Sequence, residues 1–79
     1  MTKTYVPKTR PSLAEAQRMV GGYVVMAVNQ PDKQVLVDED GLSKELDVNR
    51  EASFIANQHI VGNAIVLKGE AMWVPDLDD

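Results

Sequence analysis

His59 is the one imidazole of the chain and no cysteine accompanies it, so a metal centre would need carboxylates gathered around a single nitrogen ligand, a poor set for zinc or copper. The same histidine would have to act as base for any serine or threonine nucleophile. Ser12 stands where a helix cap is needed, and Ser43 and Ser53 lie in no strand-to-helix elbow. Asp38-Glu39-Asp40-Gly41 opens like a calcium loop, but its oxygen ligands do not alternate, and position 12 counted from Asp38 is Asn49 where a bidentate glutamate belongs. Gly21-Gly22 falls at a helix end, whereas phosphate cradles place glycines before a helix N-terminus. Paired carboxylates working as acid and base need a walled cleft that separates their pKa values, and a domain this small has little volume for one. The residues predict no catalytic group, no metal and no cofactor, hence a protein that is not an enzyme.

Recognition is the chemistry that remains. Asp38, Glu39, Asp40, Glu45 and Asp47, followed by Glu51, are opposed over that stretch by Lys44 and Arg50 alone. They form either a solvated face or an acidic surface offered to a basic site on a partner protein. Trp73, the single indole, sits among Met72, Val74 and Pro75; it plugs the core or, if exposed, anchors an interface. Gln17 and Asn63 stand at otherwise apolar positions, where an amide without partners costs about 1 to 3 kcal/mol. Such amides tie structure together, or they converge with Tyr23, Asn49 and Arg50 on a shallow small-molecule or nucleotide pocket at a subunit interface. Lys3, Lys8 and Arg10 give a basic arm with Tyr5, but the net charge of -4 repels nucleic acid.

The elements that must position these groups are short. Ser12 and Glu15 form a capping box, after which Leu13, Ala16, Gln17 and Val20 share one helical face with Arg18 outside, and Gly21 supplies the left-handed stop. Residues 23–28 are apolar at odd and even positions and rich in β-branched side chains, the pattern of a central strand covered on both faces. Residues 29–33 are a turn around Pro31-Asp32, and residues 34–38 return antiparallel. Leu42 and Leu46 fit a brief helical turn or a loose strand. Asn49 caps a second helix, through Glu51 or Ala52, with Ala52, Ile55 and Ala56 buried, ending near Asn57 or Gln58. Residues 60–67 resume a strand that Gly62-Asn63 interrupts by a bulge, a bend or a hairpin turn. A final short strand or docked segment around Met72 and Trp73 precedes an acidic tail.

These elements predict an α+β fold: a small antiparallel sheet of three to four strands with two short helices packed on it. Residues 1–11 are a flexible or edge-strand arm, 12–74 a single domain and 75–79 the tail. At 79 residues such a domain buries only about 60% of its unfolded surface, and no disulfide can reinforce it. A central strand with two short helices to cover it leaves area for a second subunit, so a homodimer is expected. No signal-like or membrane-length apolar run is present, which points to the cytoplasm.

Leu13 with Gln17, Val20-Gly21-Gly22-Tyr23, Val37-Asp38-Glu39-Asp40-Gly41-Leu42, Asn49 with Ala52, and Ile60-Val61-Gly62-Asn63-Ala64 occur in an order and spacing that resembles the domain of unknown function numbered 3846, over roughly residues 12–68. The resemblance implies a compact α+β domain of bacteriophage or mobile-element origin, acting in the host cytoplasm, and carries over no activity or cofactor. It makes a host or phage protein the expected partner, with host takeover or counter-defence as the setting.

Overall fold

The computed structural model describes residues 2–74, so the acidic tail at 75–79 lies outside the described residues. In chain order the elements are β1 (Thr4–Tyr5), α1 (Leu13–Val20), β2 (Val24–Gln30), β3 (Lys33–Asp38), α2 (Arg50–Ala56), β4 (Ala64–Leu67) and a 3-10 turn at Gly69–Ala71. They build an α+β fold around one four-stranded sheet of order β1-β4-β3-β2. The β2–β3 and β3–β4 pairs are antiparallel, as expected, but β1 runs parallel to β4 through Thr4 and Tyr5, so the sheet is mixed. The arm supplies this parallel edge because Asn63 Oδ1 accepts from the Lys3 amide at 2.9 Å and the Ala64 amide donates to the Lys3 carbonyl at 3.0 Å.

Helices cover both faces. Leu36, Ile65 and Leu67 meet Ala16 and Val20 of α1, with Tyr5, Met19, Val24, Met26, Met72 and Trp73 packed around them. On the other face Val28, Val35, Ala64 and Val66 meet Ala52 and Ala56 of α2, together with Ile60. Both helix starts are as read: Ser12 Oγ accepts from the Glu15 amide while Glu15 Oε1 accepts from the Ser12 amide, and Asn49 Oδ1 accepts from the Ala52 amide. Gly21 and Asn57 end the helices in the left-handed conformation.

Three expectations need correction. Strand β2 is an edge and not the centre; the central positions go to β3 and β4, whose shorter runs are the ones buried on both sides. Leu13 is 55% exposed because the buried stripe of α1 runs through Ala16, Met19 and Val20, leaving the first helical residue outside. The β2–β3 turn is tighter than residues 29–33, since the strands extend to Gln30 and from Lys33 around Pro31-Asp32. Among the alternatives left open, residues 42–46 form a turn closed by Lys44 N–H to Asp40 O and Leu46 N–H to Gly41 O. Gly62 bends the chain at φ 78° between a Val48–Val61 bridge and the start of β4.

Candidate functional site

At the end of β3 the chain enters the acidic segment, and Asp38 organises it. Its side chain is almost wholly buried: Oδ1 accepts from the Asp40 amide at 2.8 Å and Oδ2 from Lys44 Nζ at 2.8 Å. Lys44 Nζ also donates to the Gly21 carbonyl at 3.3 Å, so one ammonium joins the acidic turn to the C-terminus of α1. A Cβ at Gly22 would lie 2.9 Å from that Nζ and 3.0 Å from both carboxylate oxygens, so a side chain there would have to displace the pair. Burial pulls the Asp38 carboxyl upward, but the Lys44 ammonium and the Asp40 amide together outweigh it and hold it below its ordinary value.

The rest of the turn is anchored from beneath. The Gly62 amide donates to the Asp47 carbonyl at 2.8 Å, and Leu46 lies against Gly62. Glu39, Asp40 and Glu45 are exposed on this frame, and among the described residues none of their carboxylates has an ion-pair partner. The Glu39 amide donates to the Tyr23 carbonyl at 2.8 Å, which sets the turn beside the outer end of β2. There Tyr23 and Val25, 69% and 45% exposed, lie on the face that α2 covers elsewhere.

The chain matches the model of a domain family of unknown function, DUF3846, over residues 2–76. It belongs to that family. The match takes in the arm and the Trp73 segment, both outside the range of the sequence resemblance, and in this DUF3846 domain both are packed into the fold. Searches of curated proteins and of solved structures returned no match.

The proposed pocket residues of the DUF3846 domain do not meet at one place. Asn49 is buried, with Nδ2 donating to the Lys3 and Gly62 carbonyls at 3.2 and 2.9 Å and Oδ1 accepting from Thr4 Oγ1 at 3.0 Å. Asn63 ties the Lys3 amide to the Met19 carbonyl. Arg50 is exposed at the start of α2. Gln17 and Tyr23 do come together, lining a depression of about 340 Å³ with Gly22, Asp40 and Lys44. Of the proposed partner-binding residues, Glu39, Asp40 and Glu45 share the turn with Asp47, while Asp38 is its buried pin. Trp73 is half-buried against the α1-side core, its Nε1 donating to the Pro11 carbonyl at 3.0 Å.

Two residues were missed. Lys44 read as a stray cation in an acidic run, although a lysine shortly after a strand-ending aspartate is a pattern that can close a turn. Gln34 is buried and clamps Trp73 from both sides, Oε1 accepting from the Trp73 amide at 2.6 Å and Nε2 donating to its carbonyl at 2.8 Å; its alternating position in β3 carried no such signal. His59 is exposed, Ser53 Oγ is engaged by the Ile60 amide and carbonyl, and no group of three metal-ligating side chains occurs among the described residues. No helix among them is long and apolar enough to cross a membrane.

Proposed function

We propose that this domain is a non-catalytic interaction protein that binds a host or phage protein through the acidic turn at residues 39–47 and the adjoining edge of β2. The observation that carries this reading is the exposure of the Glu39, Asp40 and Glu45 carboxylates on a pinned turn, with no ion-pair partner among the described residues, beside the uncovered Tyr23 and Val25. A turn backbone held in advance costs less to order on binding, and a negative patch speeds encounter with a basic partner. Asp38 supports the contact surface from within, and Trp73 supports the fold. This reading takes a host cytoplasm as the setting and takeover or counter-defence as the role, and it includes self-association.

The test is affinity capture from bacterial lysate with the wild-type chain and with the triple variant Glu39→Gln, Asp40→Asn, Glu45→Gln. One stoichiometric partner, lost with the triple variant and weakened by salt, is expected. Equal capture by both proteins would overturn the reading. A second reading, sequestration of a small molecule or nucleotide, is favoured by the depression that Gln17 and Tyr23 share. It requires native mass spectrometry to show a bound ligand that leaves on Tyr23→Ala.

A further inference from the structure

The outer edge of β2 has the geometry of a self-pairing strand. The register Val24↔Asp38, Val25↔Val37, Met26↔Leu36 places Tyr23 opposite Glu39, and the bond from the Glu39 amide to the Tyr23 carbonyl makes that pair a hydrogen-bonded one. Antiparallel pairs alternate, so Val25 also spends its N–H and C=O on β3, whereas those of Val24 and Met26 point outward. The bulge after Met26 ends this regular row, and Gln58 Nε2 takes up the Ala27 carbonyl at 3.2 Å.

We infer that a second copy of this chain covers the edge, pairing β2 with β2 antiparallel about a two-fold axis at Val25. Val24 of each copy then lies opposite Met26 of the other, and both outward residues exchange their main-chain hydrogen bonds. Directly opposed residues share a face, so Val25 meets its own counterpart and Tyr23 lies over Ala27 of the second copy, covering the apolar surface that α2 leaves open. Any other register of this short row leaves Val24 or Met26 unmatched.

Charge favours a second copy as the occupant over a basic foreign strand. Val24–Gln30 carries no charge and no proline, so the row has nothing to attract a cationic strand, and up to the bulge after Met26 no charged side chain or proline blunts it. Two chains of net charge -4 can meet along it without opposing like charges, since Glu39 and Asp40 lie beyond its end. The opposite edge, β1, is two residues long and is followed by Pro7. A contact made along one short strand row falls below the about 800 Å² per partner of a standard interface, which makes the dimer a weak one.

The inference rests on the reading of this edge as an interaction surface and divides that surface: the second copy takes the β2 edge, and the acidic turn is left to the foreign partner. The chain has no cysteine, so Val25→Cys introduces a single thiol that can bridge the axis, because directly opposed residues lie within disulfide reach. Phe54→Cys, on the outer side of α2 at 88% exposure, is the control. Under mild oxidation Val25→Cys should form covalent dimer at least about tenfold faster than Phe54→Cys, and sedimentation velocity of the wild type should show a dimer that grows with concentration and is lost in Val25→Lys. Equal oxidation rates, or a wild-type monomer up to about 1 mM, would overturn the two-fold. Partner capture separates the two proposals: if it persists without dimer and is lost in Val25→Lys, the edge belongs to a foreign strand and the dimer fails alone. Dimer without any capture leaves the two-fold standing and removes the partner reading.

Discussion

A buried carboxylate held by one lysine makes the Asp38–Lys44 pair a pH-sensitive contact of the acidic turn. Because the folded pKa of Asp38 lies below its unfolded value of about 3.9, the pair contributes stability above that pH and loses it as pH falls through the folded pKa. Removing the ammonium in Lys44→Met takes away a lowering influence, so the folded pKa rises toward the unfolded one and the loss of stability in acid shrinks. Thermal melts from about pH 7 to about pH 3 should show the variant gaining stability relative to wild type on acidification; parallel curves would mean that Lys44 does not hold the carboxylate. A second residue contrast concerns Asn49 and Arg50, neighbours offered by the sequence as one pocket. Asn49→Ala removes a cap and strands the Lys3 and Gly62 carbonyls, for a loss of about 3 kcal/mol. Arg50→Ala, on the surface, should stay within about 0.5 kcal/mol in urea unfolding. The sequence could name Asn49 and Asn63 as amides needing partners, because such groups at apolar positions are rarely left unsatisfied. It could not name the partners, which lie 44 to 60 residues away for Asn63 and 46 for the Lys3 carbonyl that Asn49 binds.

Local chemistry decides where the elements begin and end, and here it was legible. The Ser12–Glu15 box, Gly21, Asn49 and Asn57 mark helix ends through contacts a few residues long, and Pro31-Asp32 marks the hairpin. What local pattern cannot rank is which apolar strand becomes central. Residues 23–28 and 64–67 are both continuous apolar runs, and β4 takes the interior because β3 and the arm pair on either side of it. The parallel β1–β4 pair was equally out of reach, since two residues carry no strand signal and their pairing depends on Asn63 holding Lys3. Gly62 is the position where an element boundary depends on a single backbone conformation. At φ 78°, with Leu46 Cδ1 only 2.6 Å from where a Cβ would stand, Gly62→Ala should cost about 2 kcal/mol, from left-handed strain and the displacement of Leu46. Amide exchange should rise across residues 41–48 in the variant, since the Gly62 amide holds the Asp47 carbonyl. Unchanged protection there would show that the acidic turn is anchored without this bend.

Over the whole molecule, the two apolar clusters lie on opposite faces of one sheet and share its central strands. Val35 and Val66 face α2, while Leu36, Ile65 and Leu67 face α1. Neither cluster can open without exposing strands that the other needs, so the faces should melt together in spite of the short helices. Trp73 reports on this directly, because its indole reaches Pro11 at the end of the arm and its backbone is clamped by Gln34 in β3. It thus joins the arm, the sheet and the chain after β4, and its environment should change only when the whole unit does. Urea unfolding followed by tryptophan fluorescence and by far-UV circular dichroism should superimpose at a shared midpoint, and Gln34→Ala should lower the unfolding free energy by about 2 to 3 kcal/mol, as expected for a buried amide whose loss leaves the Trp73 amide and carbonyl unpaired. If fluorescence changed first, the segment after β4 would be a separate appendage and the two faces would no longer form one cooperative body. Coincident curves would instead mean that the surface carrying Glu39, Asp40 and Glu45 is backed by the stability of the entire domain, since β3, which ends at Asp38, is a strand that both clusters hold.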